Sequence, residues 1–310
     1  MQLIRIQKIS NKEMQLTGFV SLIGSPNLGK STLINNIIGE KVSIVTHKRQ
    51  TTRSVLKGIF VKDQTQIIFL DTPGIFEANR FIDKMMVKTA WKYSNESNII
   101  CFLYDASKSK ISNANIKILE ILKDQKASVI LILNKVDLIK KKELLPLISK
   151  FKNIFSFKEV FMLSALKGSG IIELVDYLIK EMPESPFLFD SDYITDTPQR
   201  QIASEILREK LFLNLHDEIP YNLVVDNEIW NEKKNNSIEI HQNIYVTKNS
   251  HKAMIIGHSG SNIKRIGVMA RKDMESLFSK KIHLYIRVKI KDNCLTDSKL
   301  LESSGLDTSA

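Results

Sequence analysis

Six short apolar runs recur between residues 15 and 182, and segments with helical spacing separate them. Runs that are apolar at nearly every position are typical of strands buried on both faces of a sheet. The candidate strands are 18–24, 55–61, 66–71, 98–105, 128–134 and 159–163. The second and third runs are separated by four residues, which predicts an antiparallel hairpin. The pattern therefore predicts an α/β domain with a mixed, mostly parallel sheet and ligand loops at the carboxyl ends of its strands.

The pattern changes after this first domain. Residues 183–199 contain three prolines and several acidic residues, so we interpret them as an interdomain linker that its aromatic side chains pin to a domain face. Residues 200–291 then have the pattern helix, strand, strand, helix, helix, strand, which predicts a second domain of the α+β class. Residues 1–14 are predicted to be an N-terminal extension. Residues 292–310 contain no hydrophobic pattern and are predicted to be a disordered tail.

Composition and charge narrow the classes of protein. Of the 310 residues, 43% are hydrophobic and 25% are charged, as in soluble globular proteins. The formal net charge of +11 favours a polyanionic partner, either nucleic acid or an anionic membrane surface. Cys101 and Cys294 lie far apart in the sequence and lack the spacing of metal ligands. The residues before the first predicted strand contain no apolar stretch long enough for a signal peptide. We therefore expect a cytoplasmic protein.

The sequence GSPNLGKST, residues 24–32, follows the first predicted strand and precedes a segment with helical spacing. Its pattern, G-x-x-x-x-G-K-S, is typical of a loop that surrounds a phosphate with backbone N–H groups and a helix N-terminus. In such a loop Lys30 reaches the outer phosphates and the Ser31 hydroxyl ligates Mg²⁺. The alternative is an ordinary glycine turn, but the strand–loop–helix context favours phosphate binding. The predicted nucleotide-binding residues are Gly24, Ser25, Pro26, Asn27, Leu28, Gly29, Lys30, Ser31 and Thr32.

Three further loops favour guanine over adenine nucleotides. DTPG (71–74) ends the third predicted strand, where Asp71 would hold Mg²⁺ and the Gly74 N–H would reach the γ-phosphate. In NKVD (134–137), Asn134 would bind guanine N7, and Asp137 would accept hydrogen bonds from the ring N–H and the exocyclic amine, a pair that adenine lacks. In SAL (164–166), the Ala165 N–H would donate to guanine O6. The remaining predicted residues of these loops are Thr72, Pro73, Lys135, Ser164 and Leu166.

In this order and spacing, the four loops resemble those of the translation-factor-related P-loop GTPases. Between the first two lies QTTR (50–53), which is similar to the first switch of the branch that acts in ribosome assembly and tRNA modification. The resemblance implies that Thr52, or less readily Thr51, ligates Mg²⁺ when GTP is bound and is released after hydrolysis. The alternative is an exposed polar loop. The predicted catalytic residues are Lys30, Thr52 and Gly74, and the predicted magnesium ligands are Ser31, Thr52 and Asp71.

The residue after DTPG is Ile75, where many GTPases carry a glutamine that orients the attacking water. Because isoleucine cannot do this, we expect slow intrinsic hydrolysis, with a turnover of the isolated protein below about 1 s⁻¹. Asn27 matches the position at which some related GTPases hold K⁺, which implies faster hydrolysis in KCl than in NaCl. Measuring phosphate release in the two salts tests both expectations, and a faster turnover than this in NaCl would contradict the first.

A second glycine loop lies in MIIGHSGSNIKRIG (254–267). Its G-x-x-G joins two segments with helical spacing, and in KH domains such a loop lets single-stranded RNA pass close to the main chain. Residues 248–291 contain eleven Lys and Arg but only Asp273 and Glu275, a net charge of +9 that favours a phosphate backbone over a merely solvated face. The predicted RNA-binding residues are Lys252, Ile256, Gly257, His258, Ser259, Gly260, Lys264 and Arg265.

A P-loop GTPase domain followed by a type II KH domain, with its extra helix at the front, resembles the Era family of GTPases over residues 17–291. The resemblance implies a switch that uses GTP, GDP and Mg²⁺, with K⁺ as a further cation. It also implies binding to the 3′ end of 16S rRNA, assistance to 30S ribosomal subunit maturation, and peripheral association with the inner membrane. We expect a monomer. The family's RNA loop usually carries Lys-Gly where this chain has His258-Ser259, which predicts one weaker phosphate contact.

Three alternatives remain open. A GTPase of tRNA modification shares the switch but is expected to carry a different partner domain and a reactive C-terminal cysteine, whereas Cys294 lies in a polar segment. A constitutive RNA-binding protein would have a degenerate nucleotide site, which the intact Lys30, Asp71 and Asp137 argue against. A membrane-surface regulator would dock its basic end on anionic lipid, and competition between liposomes and RNA would reveal it.

Overall fold

The first domain contains a six-stranded sheet with helices on both faces. A computed structural model describes residues 14–46, 48, 52–78, 80–216 and 218–306. The strands are β1 (Leu16–Ile23), β2 (Leu56–Lys62), β3 (Thr65–Asp71), β4 (Ile99–Asp105), β5 (Ser128–Asn134) and β6 (Val160–Met162). Their order is β2-β3-β1-β4-β5-β6, in which β2 is antiparallel to β3 and all other pairs are parallel. The predicted hairpin and the mixed, mostly parallel sheet are confirmed.

Two hydrophobic cores hold the helices to the sheet. The helices are α1 (Lys30–Ile38), α2 (Phe81–Asn95), α3 (Asn113–Leu122), α4 (Leu144–Lys152) and α5 (Ile171–Lys180). On one face α1 and α5 pack through residues such as Ile34 and Leu174, and on the other face α2, α3 and α4 pack through Ala90, Leu119 and Phe151. Every residue of β3 and β4 is buried, which explains why most positions of these strands are apolar in the sequence.

The linker runs along the outer edge of the first sheet. The Ile59 N–H on β2 donates to the Ile194 carbonyl at 2.9 Å, and the buried Gln66 side chain bonds to the backbone of Leu188 and Phe189. The linker therefore covers an edge strand that would otherwise expose unpaired backbone groups. Phe189 is half-buried, whereas Tyr193 is 53% exposed and does not pin the linker as its aromatic character suggested.

The second domain has the predicted element order. Its elements are α6 (Gln199–Asn214), β7 (Leu223–Glu232), β8 (Ser237–Val246), α7 (Asn249–Ile256), α8 (Ser261–Phe278) and β9 (Lys281–Ile290). The strand order is β7-β8-β9, with β7 and β8 antiparallel and β8 and β9 parallel. The helices pack against the sheet through Leu207, Ile240 and Met274, which form one core. This arrangement confirms the predicted type II KH fold.

The C-terminal segment is ordered, so the prediction of a disordered tail is wrong for residues 292–306; residues 307–310 lie outside the described residues. A short helix, α9 (Ser298–Ser303), begins after Asp297, whose side chain accepts a hydrogen bond from the Leu300 N–H. Leu300, Leu301 and Leu306 are buried in one cluster with Cys294. That cluster also contains Ile82 and Met86 of α2 and Val224 of β7. The apolar doublet is too short to show periodicity, and both domains together provide the surface that buries it.

Replacing Leu301 with alanine is expected to lower the free energy of unfolding by about 2–4 kcal/mol, because it leaves a cavity where the tail joins the two domains. The exposed neighbour Lys299 supplies the matched control, since its replacement with alanine removes no buried contact. Urea unfolding followed by tryptophan fluorescence measures both changes. Leu301→Ala with the same unfolding midpoint as Lys299→Ala would contradict the packing role of the tail.

Candidate functional site

The first glycine loop connects β1 to α1 and is shaped by its last glycine. Gly29 has a φ of +87°, in the left-handed region, and α1 begins at the next residue. A Cβ atom on Gly29 would lie 2.6 Å from the Asn134 amide nitrogen, so a larger residue would displace the loop that carries Asn134. The glycine of the phosphate motif is therefore required by the backbone conformation and by the close approach of the base-binding loop.

Lys30 is buried beneath this loop. Its ammonium group donates to the carbonyl oxygens of Gly24 at 3.3 Å and Ser25 at 3.2 Å. Burial lowers the pKa of Lys30 to about 8, although the nearby Asp71 carboxylate opposes the shift. The side chain is thus held in the cradle of the loop, with an ammonium group that an anionic phosphate would stabilise.

Nucleotide binding above about pH 8 is expected to take up a proton at Lys30, because the phosphates raise a pKa that burial has lowered to about 8. Below that pH the side chain is already charged. Above it, affinity is expected to fall by up to about tenfold per pH unit as the ammonium group is lost. Titration calorimetry near pH 9 in buffers of different ionisation enthalpy measures the uptake. An observed heat that does not depend on the buffer would contradict this role.

Three predicted magnesium ligands meet at one point. The Ser31 hydroxyl donates to Asp71 Oδ2 at 2.6 Å and lies 3.2 Å from the Thr52 hydroxyl. The Thr52 hydroxyl in turn lies 3.5 Å from the same Asp71 oxygen. Asp71 is fully buried, and its Oδ1 has no hydrogen-bond partner among the described residues. Burial raises the pKa of Asp71, opposed by the hydrogen bond from Ser31. Two hydroxyls beside a buried carboxylate form an oxygen ligand set that fits Mg²⁺. Thr51, the alternative ligand, lies outside the described residues.

The DTPG loop is fastened to the phosphate loop. The Thr72 hydroxyl donates to the Leu22 carbonyl at 2.7 Å, and the Ile75 N–H donates to the Gly24 carbonyl at 3.0 Å. A Cβ on Gly74 would lie 2.9 Å from Pro26, so the two loops touch through backbone. The Ile75 side chain is buried in the core formed with α2, α3 and α4. It therefore offers no polar group to a water molecule at the phosphate.

Asn134 joins the three loops that surround the base pocket. Its amide nitrogen donates to the Leu28 carbonyl at 2.6 Å, and its carbonyl oxygen accepts from the N–H groups of Lys135 and Ala165, both at 2.8 Å. One hydrogen of the amide is not used by these contacts, as the predicted contact with guanine N7 requires. The Ala165 N–H, which the sequence suggested as the donor to guanine O6, is instead already engaged by Asn134. The amide thus holds together the loops that surround the pocket.

A pocket of about 480 Å³ opens between these loops, a size that suits a nucleotide. Asp137 is exposed at its lining, and the exposed side chains of Leu138 and Leu166 provide apolar surface for a planar base. Of the predicted nucleotide-binding residues, those that line the pocket are Pro26, Asn27, Leu28, Gly29, Lys30, Ser31, Thr32, Gly74, Asn134, Lys135, Asp137, Ala165 and Leu166.

Two supporting residues were missed by sequence reasoning. The buried Asp105, at the end of β4, accepts from Lys135 Nζ at 2.7 Å, and the same ammonium group donates to the Asn27 carbonyl at 3.0 Å. Burial disfavours the charged form of Asp105, but hydrogen bonds from Lys135 and Ser107 outweigh it and lower the pKa. On the other side, the Ser25 hydroxyl donates to Asn115 of α3 at 3.0 Å. The position of Asp105 at the carboxyl end of an apolar strand was the available signal.

The second glycine loop lies between α7 and α8. Gly257 and Gly260 have φ values of +73° and +77°, and between them Ser259 also has a positive φ of +50°. A Cβ on Gly260 would meet nothing within 4 Å, whereas one on Gly257 would lie 2.7 Å from Asn262. The His258 and Ser259 side chains are exposed at the tip. The open side of Gly260 leaves room for a backbone to approach, as the prediction of an RNA contact requires.

The other predicted RNA-binding side chains flank this loop. Lys264 and Arg265 are exposed on α8, while Lys252 and Ile256 on α7 are half-buried. Arg265 donates to the Asn262 side chain at 3.0 Å, and the Asn262 amide donates to the Met254 carbonyl, which braces the loop. Sequence counting overstated the available charge, because several of the eleven cations form ion pairs. These are Lys280 with Glu232, Arg287 and Lys289 with Glu228, and Lys291 with Asp297.

The segment that contains Thr52 is bound to the second domain. We call residues 41–53 the switch segment; residues 47 and 49–51 lie outside the described residues. Lys41 forms an ion pair with Glu209 of α6 at 2.7 Å, and the Val45 N–H donates to the same carboxylate at 3.0 Å. At the other end, the buried Arg53 donates to the backbone carbonyl of Leu223 at 2.7 Å. It also donates to the carbonyls of Tyr221 at 3.1 Å and Pro220 at 3.4 Å.

The fold and these loops define a P-loop GTPase joined to a type II KH domain. A family model described as a 50S ribosome-binding GTPase matches residues 19–135, and one described as a KH domain matches residues 218–295. GTPase Era of Mesorhizobium japonicum is 45% identical over 291 residues, which cover 94% of each protein. GTPase Era of Dinoroseobacter shibae is 41% identical over 293 residues, which cover 94% of this chain and 95% of that protein. The chain belongs to the GTPase Era family.

Two solved structures of Era have the same fold. Both are 34% identical, superpose with a TM-score of 0.89, and cover 94% of this chain and 99% of theirs. One contains MgGDPNP and nucleotides 1506–1542 of 16S ribosomal RNA, and the other, a variant from Aquifex aeolicus, is bound to GDP·AlF₄⁻. Among the described residues of this chain, no helix is both long and apolar enough to cross a membrane.

Proposed function

We propose that this chain is a GTP-hydrolysing switch that binds the 3′ end of 16S rRNA through its KH domain and assists 30S subunit maturation in the cytoplasm. The observation that carries the proposal is the attachment of the switch segment to the second domain through Lys41, Val45 and Arg53. A solved Era structure contains both a GTP analogue and 16S rRNA, which supports the same pairing of ligands here. We expect the switch to act as a monomer.

In this proposal each predicted catalytic residue has its own task. Lys30 neutralises the outer phosphates, and the Gly74 N–H donates to the γ-phosphate. Ser31, Asp71 and Thr52 would hold Mg²⁺, which supplies charge stabilisation to the phosphates when bound. Asn134 and Asp137 select guanine. The buried Ile75 cannot orient the attacking water, so hydrolysis depends on groups supplied from elsewhere, with K⁺ at Asn27 as one candidate.

The same geometry supports coupling between nucleotide and RNA. Within the switch segment, Thr52 lies at the predicted magnesium site, and the next residue, Arg53, donates to the Leu223 carbonyl at the start of β7. A change in the position of Thr52 after hydrolysis therefore moves a group that is hydrogen-bonded to β7. A ligand shifts such an equilibrium only through different contacts in the two states, and the γ-phosphate provides that difference.

The test measures binding of a short single-stranded RNA that copies the 3′ end of 16S rRNA, first with a GTP analogue and then with GDP. The proposal predicts tighter binding with the GTP analogue. Gly257→Asp is expected to abolish binding in both states, because it places a negative charge on the RNA loop without touching the nucleotide site. Equal affinity in the two nucleotide states would refute coupling, and absence of RNA binding in either state would refute the proposed ligand.

A further inference from the structure

A second basic surface lies in the first domain, away from the KH domain. Residues 106–158 contain twelve lysines, no arginine and four acidic residues, a net charge of +8. Nine of these lysines are exposed and form neither an ion pair nor a side-chain hydrogen bond with the described residues. We call them the lysine face: Lys108, Lys110, Lys117, Lys123, Lys126, Lys140, Lys141, Lys142 and Lys152. The net charge of this segment is close to that of residues 248–291.

The fold brings these lysines to one side of the sheet. They lie on or beside α3 and α4, which cover the same face and share a core through Leu119, Leu122 and Phe151. Lys150 of α4 donates to the Ser109 carbonyl before α3 at 3.3 Å, so the two helices are neighbours. The linker to the KH domain runs along β2, at the opposite edge of the sheet from β5 and β6. The lysine face therefore lies away from the sheet edge along which the linker runs to the KH domain.

The chemistry of this face fits phosphate groups and not stacked bases. Lysine is a compact point charge that contacts phosphate without reading sequence. The phenylalanines of the segment, Phe151, Phe155 and Phe157, are buried or half-buried, so no aromatic ring is available to stack on a single-stranded base. A folded RNA presents a dense array of phosphates with its bases paired. Such an RNA is the polyanion that this surface suits.

We propose that the lysine face is a second RNA contact, which binds the phosphate backbone of folded ribosomal RNA while the KH domain holds a single strand. The proposal rests on the proposed function, because the KH domain would hold the same RNA molecule that the lysine face contacts. Two linked contacts on one RNA strengthen each other by raising the effective concentration of the second. The contact contributes no sequence specificity and weakens steeply with salt.

The test uses lysines that have no structural task. Lys123 and Lys152 lie at the carboxyl ends of helices, where a cation also stabilises the helix dipole. The charge-reversal variant is therefore Lys117→Glu with Lys141→Glu and Lys142→Glu. The control variant, Lys84→Glu with Lys88→Glu and Lys299→Glu, changes the net charge equally at exposed positions on α2 and α9.

Both variants are measured against a short single-stranded RNA and against a longer 16S fragment that includes the adjoining folded stems, over a series of salt concentrations. The lysine-face variant is expected to bind the short RNA within twofold of wild type. On the folded fragment it is expected to lose at least about tenfold in affinity, with a salt slope reduced by about 3. The control variant is expected to retain wild-type binding to both.

Two results would overturn the proposal. One is folded-RNA affinity within twofold of the control variant. The other is a lysine-face variant that binds RNA like wild type but no longer sediments with vesicles of phosphatidylethanolamine and phosphatidylglycerol. That result would assign the face to an anionic membrane. If wild-type protein fails to bind the short RNA, the proposed function falls, and the comparison on the folded fragment still decides whether the lysine face binds RNA.

Discussion

Replacing Arg53 with methionine is expected to lower the free energy of unfolding by about 3 kcal/mol and to remove the dependence of RNA binding on nucleotide. The guanidinium donates to three backbone carbonyls at the start of the KH domain, and no carboxylate pairs with it among the described residues. Without these donors the carbonyl oxygens lose hydrogen bonds, at a cost of about 1–3 kcal/mol for each one left unpaired, while the Tyr221 carbonyl keeps a contact with Arg80 at 3.5 Å. Burial and the neighbouring charge of Arg208 lower the pKa of Arg53, so the fold disfavours the charged guanidinium. Replacing Arg53 removes this unfavourable charge, which offsets part of the stability lost with the hydrogen bonds.

Urea unfolding measures the stability change, and the ratio of RNA affinities with a GTP analogue and with GDP measures coupling. Arg53→Lys keeps the charge but cannot span three carbonyls, so an intermediate result is expected. Lys57→Met is the matched control, since it removes the partly exposed ion pair with Asp196 on the linker and is expected to cost less than about 1 kcal/mol. Wild-type coupling in Arg53→Met would show that the signal travels by another route.

Replacing Asp137 with asparagine is expected to weaken GTP binding by roughly 10²–10⁴-fold. The carboxylate would accept two hydrogen bonds from guanine, whereas the amide of asparagine would place an N–H against the exocyclic amine. Xanthosine triphosphate carries a carbonyl in place of that amine, so its affinity is expected to rise. Competition against a fluorescent GTP analogue measures both.

The matched control for this substitution is Asp124→Asn, which changes an exposed carboxylate outside the base pocket and is expected to leave GTP affinity within twofold. Unfolding midpoints of the two variants show whether either one has lost its fold. An Asp137→Asn protein that binds GTP as tightly as the control would remove Asp137 from the guanine site.

The sequence alone determined the strands and the loops that follow them. Every strand of the first sheet was predicted from its apolar run, and the signal is strongest in β3 and β4, whose buried positions are mostly apolar. Lys30, Asp71 and Asn134 were predicted for a related reason. Each lies at the end or start of such an element, and the parallel arrangement brings those ends to one edge of the sheet. Local pattern and spacing are sufficient for inferences of this kind.

The tertiary structure decided which groups are available and how the domains meet. Leu301 is buried because α2 and β7 approach each other, and no local pattern records that approach. The same is true of Arg53, whose acceptors lie about 170 residues further along the chain. Asp105 supports the base pocket through its ion pair with Lys135. Glu228 and Glu232 form ion pairs with lysines that the sequence count had treated as available to RNA. Contacts between distant segments depend on packing, and packing depends on shapes that a linear pattern does not contain.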